Sequence, residues 1–126
     1  MRYLGIDYGT KRIGLALSDE KGMMAFPYGI LENSNKKFAA LHKICEDNKI
    51  SEIICGLPMG LQNQDTDMTR AARDFAKKLG DYTGLTVHLV NELFSSKAAA
   101  HFQGAHDKID ASAAALILDS FLSGNK

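Results

Sequence analysis

RYLGIDYGTKRIGLALSD (residues 2–19) contains two apolar runs, 2–7 and 12–18, separated by a turn that carries Gly9. Each run reads as a strand, being rich in β-forming residues and bounded by turn formers. A connection of about four residues forces antiparallel neighbours, because a parallel return needs a crossover of a dozen residues or more. A third run, MMAFPYGILE (23–32), follows an equally short link and extends the meander. Pro27 has no N–H to give a central ladder, so this strand belongs at an edge.

After the meander the apolar period changes. From Ser34, a suitable N-cap, Phe38, Leu41, Ile44 and Cys45 recur at helical spacing and predict a helix to about Asn48. SEIICGLP (51–58) is a short apolar strand. Met68, Ala71, Ala72, Phe75 and Leu79 mark a second helix, capped near Asp65–Asp67 and stopped by Gly80. TVHLV (86–90) reads as a fifth strand, 95–103 as a short helix, and Ile109, Ala113, Leu116 and Ile117 as a last helix. The unit from strand 51–57 through the second helix to strand 86–90 is a parallel crossover. Helix 35–48 most simply returns the chain beside strand 2–7. The expected fold is therefore α/β, with a five-stranded mixed sheet ordered 3-2-1-4-5 and helices on both faces.

A chain of 126 residues is the size of one domain, 1–126. Hydrophobic residues make up 45% and charged residues 24%, which excludes a disordered or fibrous chain. Fifteen basic residues balance fifteen acidic ones, so no basic tail is available for strong nonspecific nucleic-acid binding. Cys45 and Cys55 match no metal spacing and read as buried reduced thiols. The N-terminus resembles a strand rather than a signal peptide, and the apolar run 111–118 is too short to span a bilayer. A cytoplasmic protein with no membrane partner is expected.

In this topology strands 1, 4 and 5 run parallel, and their carboxyl ends share one edge. Asp7 ends the first, Gly56-Leu57-Pro58 ends the second and Glu92 follows the third. Open α/β sheets bind ligands just outside such ends. Asp110 heads an otherwise apolar stripe with Ala114, Ile117 and Phe121, in what reads as the first turn of the last helix. An acid on the buried side of a helix is unusual unless paired or bound to metal. Each acid also has a plain alternative. Asp7 suits a turn, Glu92 a solvated surface, and Asp110 a helix cap, although Asp107 offers itself for that role. Their convergence on one edge favours a functional site.

GIDYGTKRIGLALSD (5–19), IICGLP (53–58) and KIDASAAALILDS (108–120) resemble the YqgF (RuvX) family, described both as Holliday junction resolvases and as pre-16S rRNA processing nucleases. The resemblance covers the whole chain in order. It implies an RNase H-like fold and a divalent-metal phosphodiesterase, with the family's acidic positions on Asp7, Glu92 and Asp110. Hard carboxylate oxygens suit two Mg²⁺ or Mn²⁺ ions. Lys11 and Arg12, and more weakly Ser95 and Ser96, are candidates for substrate phosphate. Two departures stand out. Asn91 and Leu93 replace the family's Asp and Arg around Glu92, and Gln62-Asn63 replaces its Asp-Gly, where Asn63 tolerates a left-handed turn.

The reading is thus a metal-dependent nuclease acting on nucleic acid, with single-stranded or locally unpaired RNA favoured over branched DNA. Balanced charge and apolar residues mostly accounted for by inward faces predict a monomer or weak homodimer. One alternative is a catalytically decayed RNA- or protein-binding module of the same fold. A less favoured one is a nucleotide-binding fragment, because 7–19 also looks like the first phosphate loop of the actin, heat-shock chaperone and sugar-kinase ATPases.

Overall fold

The computed structural model describes residues 1–60, 62, 64–91 and 106–124, with side chains of the last helix described from Ala113 onward. Strands β1 (Tyr3–Tyr8), β2 (Arg12–Ser18) and β3 (Ala25–Glu32) are followed by α1 (Lys37–Asp47), β4 (Glu52–Leu57), α2 (Asp67–Thr83), β5 (Thr86–Asn91) and α3 (His106–Gly124). The sheet order is β3-β2-β1-β4-β5, as the connection lengths required. The β1–β2 and β2–β3 pairs are antiparallel, whereas β4 lies parallel to both β1 and β5. β3 is an edge. Opposite the Leu15/Ala16 step its register shifts, Leu15 facing Gly29 and Ala16 facing Pro27, so that Tyr28 is the extra residue of a bulge.

Strand alternation separates two apolar layers. Leu4, Ile6, Ile13, Leu15, Ile53 and Cys55 meet Leu41 and Cys45 of α1 and Phe75, Ala76 and Leu79 of α2. Ala16, Ile54 and Val90 meet Ala114, Ile117, Leu118 and Phe121 of α3 on the other face. Both cysteines are buried thiols outside any disulfide, and burial pushes the Cys45 thiol up to about 11. No helix among the described residues is long and apolar enough to cross a membrane.

Gly5 is where α3 comes closest. A Cβ there would lie 2.8 Å from Leu118 Cβ and 3.0 Å from the Ala114 carbonyl oxygen. Only a residue without a side chain admits the helix at this distance.

Helix ends differ from the sequence expectation in three places. α1 begins at Lys37 with no side-chain cap. Ser34 instead shapes the preceding turn, its hydroxyl accepting the Lys36 N–H at 3.2 Å. α2 runs through Gly80 and stops at Gly84, whose left-handed φ of 75° turns the chain out of the helix. α3 starts at His106, so Asp110 lies beyond its first turn and Asp107 lies within it. An acid in the first turn complements the helix dipole, and Asp107 rather than Asp110 holds that position. The short helix expected over 95–103 lies outside the described residues.

Apolar residues are not all turned inward. Met23 is 64% exposed, Met24 57%, Phe26 47% and Tyr28 50%, all on β3 or the turn before it. The expectation that apolar residues are mostly accounted for by inward faces does not cover this patch.

Candidate functional site

Asp7 is the penultimate residue of β1 and shares a face with Tyr3 and Gly5, the face that α3 covers. Its neighbours across the sheet lack side chains. Gly14 is its β2 partner. Gly5 pairs with Ile54 and Ile6 with Cys55, so one further step of that register brings Gly56 beside Asp7. Side-chain volume is therefore missing on both flanks of the carboxylate.

The direction of α3 follows from its contacts. The Tyr3 ring meets Phe121 edge-on at 5.8 Å, and Gly5 lies against Leu118 and Ala114. Moving along β1 toward Asp7 thus means moving toward the N-terminus of α3. Asp110 is about one turn, roughly 5.4 Å, before Ala114. Its backbone position is accordingly at the Asp7 end of the helix. The structure brings these two positions to one end of one face. Glu92, Ser95 and Ser96 lie outside the described residues.

Asn91 belongs elsewhere. It pairs with Leu57, which alternates with Ile53 and Cys55 onto the α1 and α2 face. The family's Asp at this position would therefore stand on the face opposite Asp7. Lys11 and Arg12 are exposed at the same end of the sheet. Their turn is held from β3's end, where the Asn33 N–H donates to the Lys11 carbonyl at 2.9 Å and Asn33 Nδ2 donates to the Gly9 carbonyl at 2.8 Å. Asn33 was not singled out in the sequence, because an Asn after a strand reads as any turn residue.

On the other flank, the segment after β4 is closed by a bond from the Gly60 N–H to the Gln64 carbonyl at 2.8 Å. Gln62 is left-handed here, at φ 57°; Asn63, the residue the sequence singled out for such a turn, lies outside the described residues. A long side chain in this region is strained by about 1–2 kcal/mol. The first turns of α2 add little uncompensated charge. Arg70 pairs with Asp67, and Arg73 pairs with Asp65 at 2.9 Å, holding the Asp65 carboxyl below its ordinary range.

The family profile described as "RuvX: Holliday junction resolvase" matches residues 1–124. The chain belongs to the RuvX family. A relative from Maridesulfovibrio salexigens, named "Putative pre-16S rRNA nuclease", is 40% identical, with 98% of each chain covered. One of the same name from Francisella tularensis subsp. novicida is 37% identical over 97% of this chain and 96% of its own. RuvX is therefore a family of nucleases. Among solved structures, RuvC from T. thermophilus in complex with Holliday junction substrate superposes with a TM-score of 0.65 at 15% identity, covering 100% of this chain and 98% of that one. The RuvX chain thus has the RNase H-like fold expected of it. A ROK hexokinase from Thermus thermophilus reaches a TM-score of 0.50 at 23% identity, over 85% of this chain and 39% of that one. That likeness is one of fold alone.

Proposed function

We propose that this RuvX chain is a divalent-metal-dependent nuclease that hydrolyses phosphodiester bonds at an Asp7, Glu92 and Asp110 site, in processing the 5′ end of pre-16S rRNA. The observation that carries the reading is the placement of Asp7 between two glycine positions, on the face and at the end where α3 carries Asp110. His88 and Val90 at the end of β5 lie on the α3 face, His88 against Phe121 and Val90 in the α3 layer; Glu92 enters the reading from the sequence and lies outside the described residues.

No group of three potential metal ligands occurs among the described residues; the side chains of Glu92 and Asp110 are outside that set. The donor chemistry fits Mg²⁺ or Mn²⁺, since carboxylate oxygens are hard ligands. Gly14 and Gly56 place no side chain of their own on either flank of Asp7. When bound, such ions supply Lewis-acid activation of water and neutralise charge at the departing oxygen. Asp7, on the central strand, would hold the ions together with Glu92 and Asp110. Lys11 and Arg12 supply positive charge for the phosphates flanking the scissile bond, with the Ser95 and Ser96 hydroxyls as further donors.

RNA is the favoured substrate. A duplex-gripping resolvase needs two sites across a two-fold interface and an excess of basic residues, and the net charge here is zero. The exposed residues of β3 do not supply a strand-paired dimer, because Pro27 and the Tyr28 bulge interrupt that edge. We expect a monomer or weak dimer in the cytoplasm. Labelled precursor RNA and a four-way DNA junction should be incubated side by side with Mn²⁺ at physiological salt, with sedimentation at micromolar protein. The RNA should be cut at least about tenfold faster. A tight dimer giving paired, symmetric junction nicks would overturn the substrate assignment, and no cutting of either would favour the decayed binding module.

A further inference from the structure

Thr69 is a polar side chain with no solvent exposure, and its hydroxyl uses all its hydrogen-bonding capacity. The O–H donates to the Pro58 carbonyl oxygen. Its oxygen accepts the Thr66 N–H at 2.9 Å and lies 3.0 Å from the Thr66 hydroxyl. Thr66 Oγ1 in turn accepts the Thr69 N–H at 3.2 Å, which completes a reciprocal cap on α2. Capping requires only that pair. The additional bond leaves the helix and seizes the chain immediately beyond β4, two residues after Gly56. With the Gly60–Gln64 closure and the left-handed Gln62, residues 58–60, 62 and 64–66 are tied down at the edge that carries Asp7.

We propose that Thr69 is a positioning residue for the reaction: by tying Pro58 to the start of α2, it holds residues 58–60, 62 and 64 as a wall against which the nucleic-acid strand is seated. The inference rests on the reading of the Asp7 edge as a nuclease site. Exposed Gln62 and Gln64 give that wall side-chain amides, which donate to phosphate and sugar oxygens without adding charge. This is how a chain of zero net charge can grip a strand locally.

Thr69→Val keeps the volume but supplies no donor, leaving the Pro58 carbonyl and the Thr66 N–H without their partner. Thr69→Ser keeps the donor. Cleavage kinetics for both are measured where circular dichroism shows each variant fully folded, alongside hydrogen exchange of the Gly60 amide. Thr69→Val should raise KM about tenfold and accelerate Gly60 exchange, and Thr69→Ser should stay within about threefold of wild type. The KM readout separates the roles, because a smaller folded fraction lowers kcat and leaves KM alone. Wild-type KM in Thr69→Val, or Gly60 exchange that does not change, overturns this inference alone. A wild-type chain that cuts neither substrate overturns the site reading and this inference with it.

Discussion

Asp7→Asn should lower cleavage by about three orders of magnitude while the chain stays folded. The substitution keeps shape and removes one negative charge, so the sheet register and the α3 contact at Gly5 are undisturbed. What goes is the charged carboxylate on the central strand that is proposed as a metal ligand. A loss of several kcal/mol in stabilising transition-state charge corresponds to roughly a thousandfold in rate. Single-turnover cleavage of precursor RNA in saturating Mn²⁺ measures it. A variant that cuts within a few-fold of wild type would remove Asp7 from the chemistry and leave it as a turn residue.

Gly5→Val should be the most damaging substitution in the strands. The new Cβ alone would sit 2.8 Å from Leu118 Cβ and 3.0 Å from a backbone oxygen of α3, and neither is the flexible end of a side chain. The helix has to move away from β1, and overpacking of this kind costs about 1–3 kcal/mol. For a chain of this length that is a fall in Tm of roughly 5–10 °C, readable by calorimetry. Moving α3 also separates Asp110 from Asp7. Cleavage should therefore drop further than the lost stability accounts for, even well below the new Tm. An unchanged Tm would mean that the close approach of α3 is not a packing constraint.

Short connections made the meander and its antiparallel register legible, and Pro27 marked β3 as an edge for a local reason, the missing N–H. The parallel placement of β4 and β5 followed from helix-length crossovers. Helix ends were less legible, because several residues compete for each cap. Ser34 and Gly80 are good terminators by type, but Asn33 ties the preceding chain to the β1–β2 turn and Gly84, not Gly80, has the left-handed conformation. The site was half legible. Acids at the carboxyl edge can be read from a topology, and Asp7 is where it was expected. The glycines beside it, the Asn33 tie and the Thr69 bond to Pro58 are long-range relations that no spacing along the chain reveals. The Asn91 replacement proved easier to interpret in three dimensions than in one, since pairing with Leu57 puts it on the far face.

Binding of Mn²⁺ tests the central claim most directly, because it asks for the ligand set and not for a substrate. Electron paramagnetic resonance titration counts free Mn²⁺ against protein for the wild type and for Asp7→Asn, Glu92→Gln and Asp110→Asn. Saturable binding by the wild type that is weakened at least about tenfold in each of the three variants is the predicted result. Equal binding by all four chains, or no saturable binding by the wild type, would contradict a metal site built from these carboxylates.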